Sequence, residues 1–205
     1  MFRTRWIGVA AAAAALGCGR TVLVPPRVDL APLATLGIID FTSSSEGVLA
    51  HYTTERFLEM IRRGQGTIPI VEIGTRDDAL RAIGADSFDF DALKALGAKY
   101  HIRTLIVGQL TLSNVRPNLR VVPRVGYVGV SANVTGTLVT RMVDVETGAS
   151  LWNASSTHSA PVGFVTIAGS HIAFNAREPD RAYGELVNPI VQDVTRDFRP
   201  TREHR

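Results

Sequence analysis

Cysteine is nearly absent from the 205 residues: Cys18 stands alone, so the chain can form no internal disulfide and has no cysteine cluster for a metal. Long apolar runs are scarce too. The uncharged stretch from Trp6 to Gly17, with its six consecutive alanines, falls well short of the roughly 20 residues of a spanning helix. The catalytic signatures are missing as well. His51, His101, His158, His171 and His204 show no H-E-x-x-H spacing, and there is neither a G-x-S-x-G elbow nor a phosphate-binding G-x-x-x-x-G-K loop. These absences argue against an enzyme, a resident cofactor or a metal centre.

What is present at the amino terminus is a charged start, Arg3 and Arg5, followed by that apolar stretch, which is the pattern of a signal peptide over residues 1–17. It ends in Ala15-Leu16-Gly17-Cys18, which resembles a bacterial lipobox with the leucine and the small residue exchanged. The Cys18 thiol is then a site of lipidation. Ordinary cleavage that leaves a free thiol is the alternative. Gly19 rather than an aspartate after the cysteine suggests, by resemblance to enterobacterial lipoproteins, sorting to the periplasmic side of the outer membrane.

The whole chain has 22 basic and 19 acidic residues, but the signal segment carries two of the arginines. A nearly neutral mature chain does not favour nucleic acid as a partner. Residues 18–32, with Pro25, Pro26 and Pro32, predict an extended tether, since proline fixes the backbone and removes donors. Residues 33–198 are one domain's worth of chain. Residues 199–205 form a basic tail, and Arg196, Arg199, Arg202 and Arg205 predict a solvated helix end suited to the carboxyl-terminal dipole.

Within the domain, Leu36, Ile38, Ile39 and Phe41 place apolar groups on both faces of a strand, which belongs inside a covered sheet. Ser43 and Glu46 have capping-box spacing before a helix that aligns Leu49, Thr53, Phe57, Met60 and Ile61 and ends before Gly64. A second strand over residues 67–73 and a short helix opened by Thr75 and Asp78 follow, and this order implies parallel pairing. Asp86, Asp89 and Asp91 lack the glycine and closing glutamate of a calcium loop, so they predict a helix start. Asp40 predicts a turn cap. Gly148 marks a hairpin turn. A last helix over residues 179–198 aligns Tyr183, Leu186, Val187, Ile190, Val191, Val194 and Phe198, with a kink or a fresh start at Asn188 and Pro189. The sum is an α+β class: a mixed β-sheet flanked by helices in a single periplasmic domain.

The segments "TLGIIDF", "ALKALGAKYHIRTLIVGQL" and "TLVTRMVDVETGASLWNAS", in that order, resemble the curli-secretion channel lipoprotein (CsgG) family. Its relatives include lipoprotein activators of penicillin-binding proteins and the amino-terminal domain of the Tol-system propeller protein. The resemblance covers residues 33–198 and implies a periplasmic α+β fold. In the channel family a membrane hairpin sits where this chain has residues 114–138, and a second sits where it has residues 156–175.

The first of these segments alternates. Val115, Leu119, Val121 and Val125 oppose Arg116, Asn118, Arg120 and Arg124, and after Gly126 the phase switches to Val128, Val130, Ala132 and Val134. Arms apolar on one face suit a tilted barrel strand of about 9 to 11 residues. Pro117 and Pro123 deny ladder donors, and Tyr127 is the one aromatic available for an interface. A soluble hairpin that docks a partner explains the same pattern. The expected function is a non-enzymatic binding or assembly component in envelope biogenesis or secretion, with a pore of the curli-export type as the alternative. Its expected partners are the membrane through its lipid, periplasmic or outer-membrane proteins, and further copies of itself. Arg116, Arg120, Arg124 and Tyr127 are the candidate contacts.

Overall fold

The computed structural model describes residues 21–33, 35–122, 127–169 and 171–204, with only the backbone described at 117–122, 127–131, 167, 203 and 204. Cys18 and Arg124 lie outside these residues.

The main sheet is mixed. Strands β2 (Leu36–Ile38), β5 (Ile70–Glu72), β6 (Thr104–Val122), β7 (Tyr127–Asp144) and β8 (Ser150–Gly163) run in the order β5-β2-β6-β7-β8. β2 is parallel to both of its neighbours, and β6, β7 and β8 form an antiparallel meander. The central place of β2 follows from its residues. Ile38 belongs to one apolar cluster and Ile39 to another on the opposite face. The larger cluster joins the sheet to α1 (Leu49–Gln65) and α4 (Pro179–Val194), and the smaller joins it to α2 (Arg76–Ile83) and α3 (Phe90–Tyr100). The chain is thus an α+β domain in which, among the described residues, four α-helices flank mixed sheets.

Every residue assigned by spacing to the inner face of α1 is buried, and Phe57 is fully so. Its buried threonines are satisfied: Thr53 donates to the Leu49 carbonyl at 2.7 Å, and Thr54 donates to Ala50 while accepting from the Phe41 amide at 2.8 Å. All seven apolar residues of the last helical stretch are buried as well. Phe57 meets Phe41 and Phe198 edge-on, and Tyr183 meets Tyr52 and Phe174, so two groups of rings tie the helices to the core.

Several expectations need correction. Ser43 and Glu46 do not cap α1, whose N-cap is Val48 without a side-chain bond. The Ser43 hydroxyl accepts instead from the Ser45 amide, and Glu46 lies in β4 (Glu46–Gly47), paired with β10 (His171–Phe174) 127 or so positions later in the chain. The helix also runs past Gly64 to Gln65. α4 continues through Pro189, which sits at a half-exposed position, and Asn188 accepts from Arg56 Nε at 3.0 Å rather than capping a new helix. The expectation of a helix end holds for Arg199, which donates to the Gln192 carbonyl in the last turn of α4, but beyond it the tail is a strand: β11 (Thr201–His204) pairs antiparallel with β1 (Thr21–Val24). Between these ends Leu30 is fully buried, and Gln65 holds the segment by accepting from the Leu30 amide and donating to the Val28 carbonyl.

The short helix after β5 agrees with its sequence signal. Thr75 and Asp78 form a reciprocal capping box. Asp89 caps α3 by accepting from Ala92 at 3.0 Å, and this bond, with a second from the Ser87 hydroxyl, holds its carboxyl below the usual range. Gly148 adopts φ 69° in the turn between β7 and β8, where Asp144 accepts from the Glu146 and Thr147 amides.

Candidate functional site: the β6–β7 hairpin

The long arms of β6 and β7 pair continuously from Thr104 opposite Asp144 to Val122 opposite Tyr127, with one irregularity between Ser113 and Arg116. At about 3.3 Å per residue, an arm of 19 residues spans on the order of 60 Å. The irregularity is a bulge. Asn114 takes the left-handed conformation at φ 54°, and two residues of β6 stand against one of β7.

That extra residue decides which side chains share a face. Before the bulge the core side of β6 carries Leu110 and Leu112, and after it Val115 packs against the same core. Directly opposed residues share a face, so Pro117, Leu119 and Val121 join Ala132, Val130 and Val128 on the core side. The other side carries Arg116 opposite Asn133, Arg120 opposite Gly129, and Tyr127 opposite Val122. Three of the four candidate contact residues are therefore placed on one face, and Arg124 lies outside the described residues. Arg116 is exposed.

β8 ends at Gly163, opposite Ser131. Past that point, among the described residues, the rungs from Leu119 opposite Val130 to Val122 opposite Tyr127 pair only β6 with β7. The core-side stripe thus continues beyond the sheet that covers its lower part, where Ala132 and Val134 are buried.

The arginine face is continuous with the open face of the meander. There Thr135 and Ser159 hydroxyls lie 2.7 Å apart, and those of Thr137 and Thr157 2.8 Å apart, which forms a polar ladder across β7 and β8. The segment aligned with a second membrane hairpin behaves differently. β9 (Val165–Ala168) and β10 make a small sheet with β4, and Val165 and Phe174 are buried in the main core.

Asp40 does not cap its own turn. Its carboxylate stands 3.3 Å from His51 Nδ1, and His51 Nε2 is 3.3 Å from Glu55, so the strand end is tied to α1. The i,i+4 spacing of His51 and Glu55 was the available cue. Among the described residues no three His, Cys, Asp or Glu side chains gather where they could hold a metal ion. No described helix is long and apolar enough to cross a membrane.

No family model and no curated protein matches the chain. Solved structures do resemble it. The PelC dodecamer from Paraburkholderia phytofirmans is 11% identical over 87% of this chain and 96% of that one, with a TM-score of 0.49. The LpoB C-terminal domain from Salmonella enterica is 12% identical over 62% of this chain and 82% of that one, at 0.40. Lipoprotein GNA1162 from Neisseria meningitidis is 12% identical over 62% and 83%, at 0.39. These are likenesses of chain path at low identity.

Proposed function

We propose that the chain is an outer-membrane-anchored periplasmic lipoprotein that works without catalysis, as a binding and assembly component in envelope biogenesis or secretion. The β6–β7 hairpin is its contact element. The observation that carries this reading is the apolar stripe running past the end of β8 on a two-stranded arm. Such an arm is marginal alone in water, and an apolar face on it calls for cover. The signal pattern and Ala15-Leu16-Gly17-Cys18 support the anchor and the compartment.

The alternative is an oligomeric secretion pore of the curli-export type. Its support is the same stripe, backed by a polar face, which is the pattern of a barrel strand. Against it stands the second segment, folded onto β4 with Phe174 in the core, which leaves one long hairpin per chain among the described residues. Reconstitution of the purified lipoprotein into planar bilayers separates the two. The contact reading expects baseline conductance together with capture of envelope proteins that is lost on Arg116→Glu and Arg120→Glu. Stable single-channel currents from detergent-resistant rings would replace it with the pore.

A further inference from the structure

The three parallel strands lie in the order β5-β2-β6, and the helices that connect them take opposite faces. α1 links β2 to β5 within the larger cluster, whereas α2 and α3 link β5 to β6 within the smaller. In open α/β sheets, helices that part in this way open a ligand crevice at the carboxyl ends of the two adjacent strands they leave, here β2 and β5. A cleft of about 260 Å³ occupies that place. Asp40 follows β2, Arg76 begins α2, Phe88 precedes α3, and Gln109, Val139 and Arg141 come from β6 and β7.

Charge defines the ligand. Arg56, Arg62, Arg63, Arg81, Arg103 and Arg196 each pair with a carboxylate. Arg116, Arg177, Arg181 and Arg202 pair with none among the described residues, and neither do Arg76 and Arg141, the two arginines that line the cleft. Arg76 lies over the Phe88 ring at 4.9 Å, which leaves the edge of its guanidinium open for hydrogen bonds. Asp40 also lines the wall, engaged by His51 of α1, which in turn meets Glu55. Two guanidiniums against one carboxylate leave a single positive charge, which suits a monoanion better than a phosphate dianion. Val139, 49% exposed, and Phe88 supply an apolar floor.

We propose that this cleft binds a carboxylate carried on a small apolar body, with Arg76 and Arg141 on the carboxylate and Val139 and Phe88 under the body. A guanidinium presents its donors as a planar fork that matches a carboxylate, so both arginines contribute through paired hydrogen bonds. The cleft uses the base of the hairpin strands, at Gln109, Val139 and Arg141, and not the distal rungs past the end of β8.

The test is equilibrium dialysis of the full purified chain against 3-phenylpropionate, with 3-phenylpropanol and inorganic phosphate as competitors. Saturable one-to-one binding in the millimolar range is expected, weakened at least tenfold by Arg141→Ala and by Arg76→Ala and less by Arg141→Lys. Both arginines are exposed, so unchanged thermal melting checks that the variants fold. Absence of saturable binding overturns the proposal. So does equal competition by the neutral alcohol, displacement by phosphate, or affinity unaltered in both alanine variants.

Discussion

Leu119 stands opposite Val130 in the first rung of the hairpin past the end of β8. Four positions further along β7, on the same face, Val134 is 1% exposed and belongs to the core. The same substitution at these two positions of one strand should therefore act on different properties. Val134→Asn is expected to lower the melting temperature, because it buries an amide without partners. Val130→Asn should leave melting nearly unchanged and weaken partner capture in pull-downs from envelope extracts. Loss of folding in both variants would mean that the stripe is core throughout.

Asn114 sets the phase of the whole distal arm, and its φ of 54° limits what can replace it. Asn114→Gly should be tolerated. Asn114→Val should cost about 1 to 2 kcal/mol by urea denaturation, since a branched side chain clashes in the left-handed region. Equal stability of the two variants would show that the bulge can relocate.

Leu186 is fully buried where α4 meets the sheet, within the cluster that also holds Phe57 and Phe198. Leu186→Ala is expected to destabilise the domain by about 2 to 5 kcal/mol in chemical denaturation. A loss below that range would mean that the site collapses around the smaller side chain.

Alkaline pH should unfold the domain through its tyrosines. The Tyr183 hydroxyl is buried without a partner among the described residues, and burial pushes its ionisation up to about 12. Burial, and then its hydrogen bond to Asp180, moves Tyr52 in the same direction. An unfolded tyrosine ionises near about 10, so this stability is complete below that pH and is lost as pH rises towards the folded value. Denaturation midpoints followed between about pH 9 and 12 should fall, with a shallower decline in Tyr183→Phe. That variant should keep its stability at neutral pH, because it gives up no hydrogen bond.

The sequence was most legible where a signal is local. The face of α4, the capping box of Thr75 and Asp78 and the two-sided burial of β2 all follow from spacing within one element. The alternation of Val115, Leu119 and Val121 against Arg116, Asn118 and Arg120 agrees with the faces that the pairing assigns, whereas the bulge at Asn114 gave no sequence signal. Signals failed where a distant segment takes the polar groups. Ser43 and Glu46 have cap spacing, yet the segment is held by Ser44, whose hydroxyl accepts from the Leu112 amide at 2.8 Å across 68 positions. The pairing of Thr21 with His204 joins nearly opposite ends of the chain, and neither segment alone announces it. The cleft between Arg76 and Arg141 belongs to the same class, because strand order brings its walls together.

That pairing also sets how far the domain can stand off from a membrane. Residues 18–32 as a free leash would reach roughly 45 Å, at about 3.1 Å per residue. With β1 locked to β11, only Gly19 and Arg20 stand between Thr21 and Cys18, a span of at most about 10 Å. On a lipidated Cys18 the domain would therefore ride against the headgroups, its search for partners confined to a thin shell parallel to the bilayer.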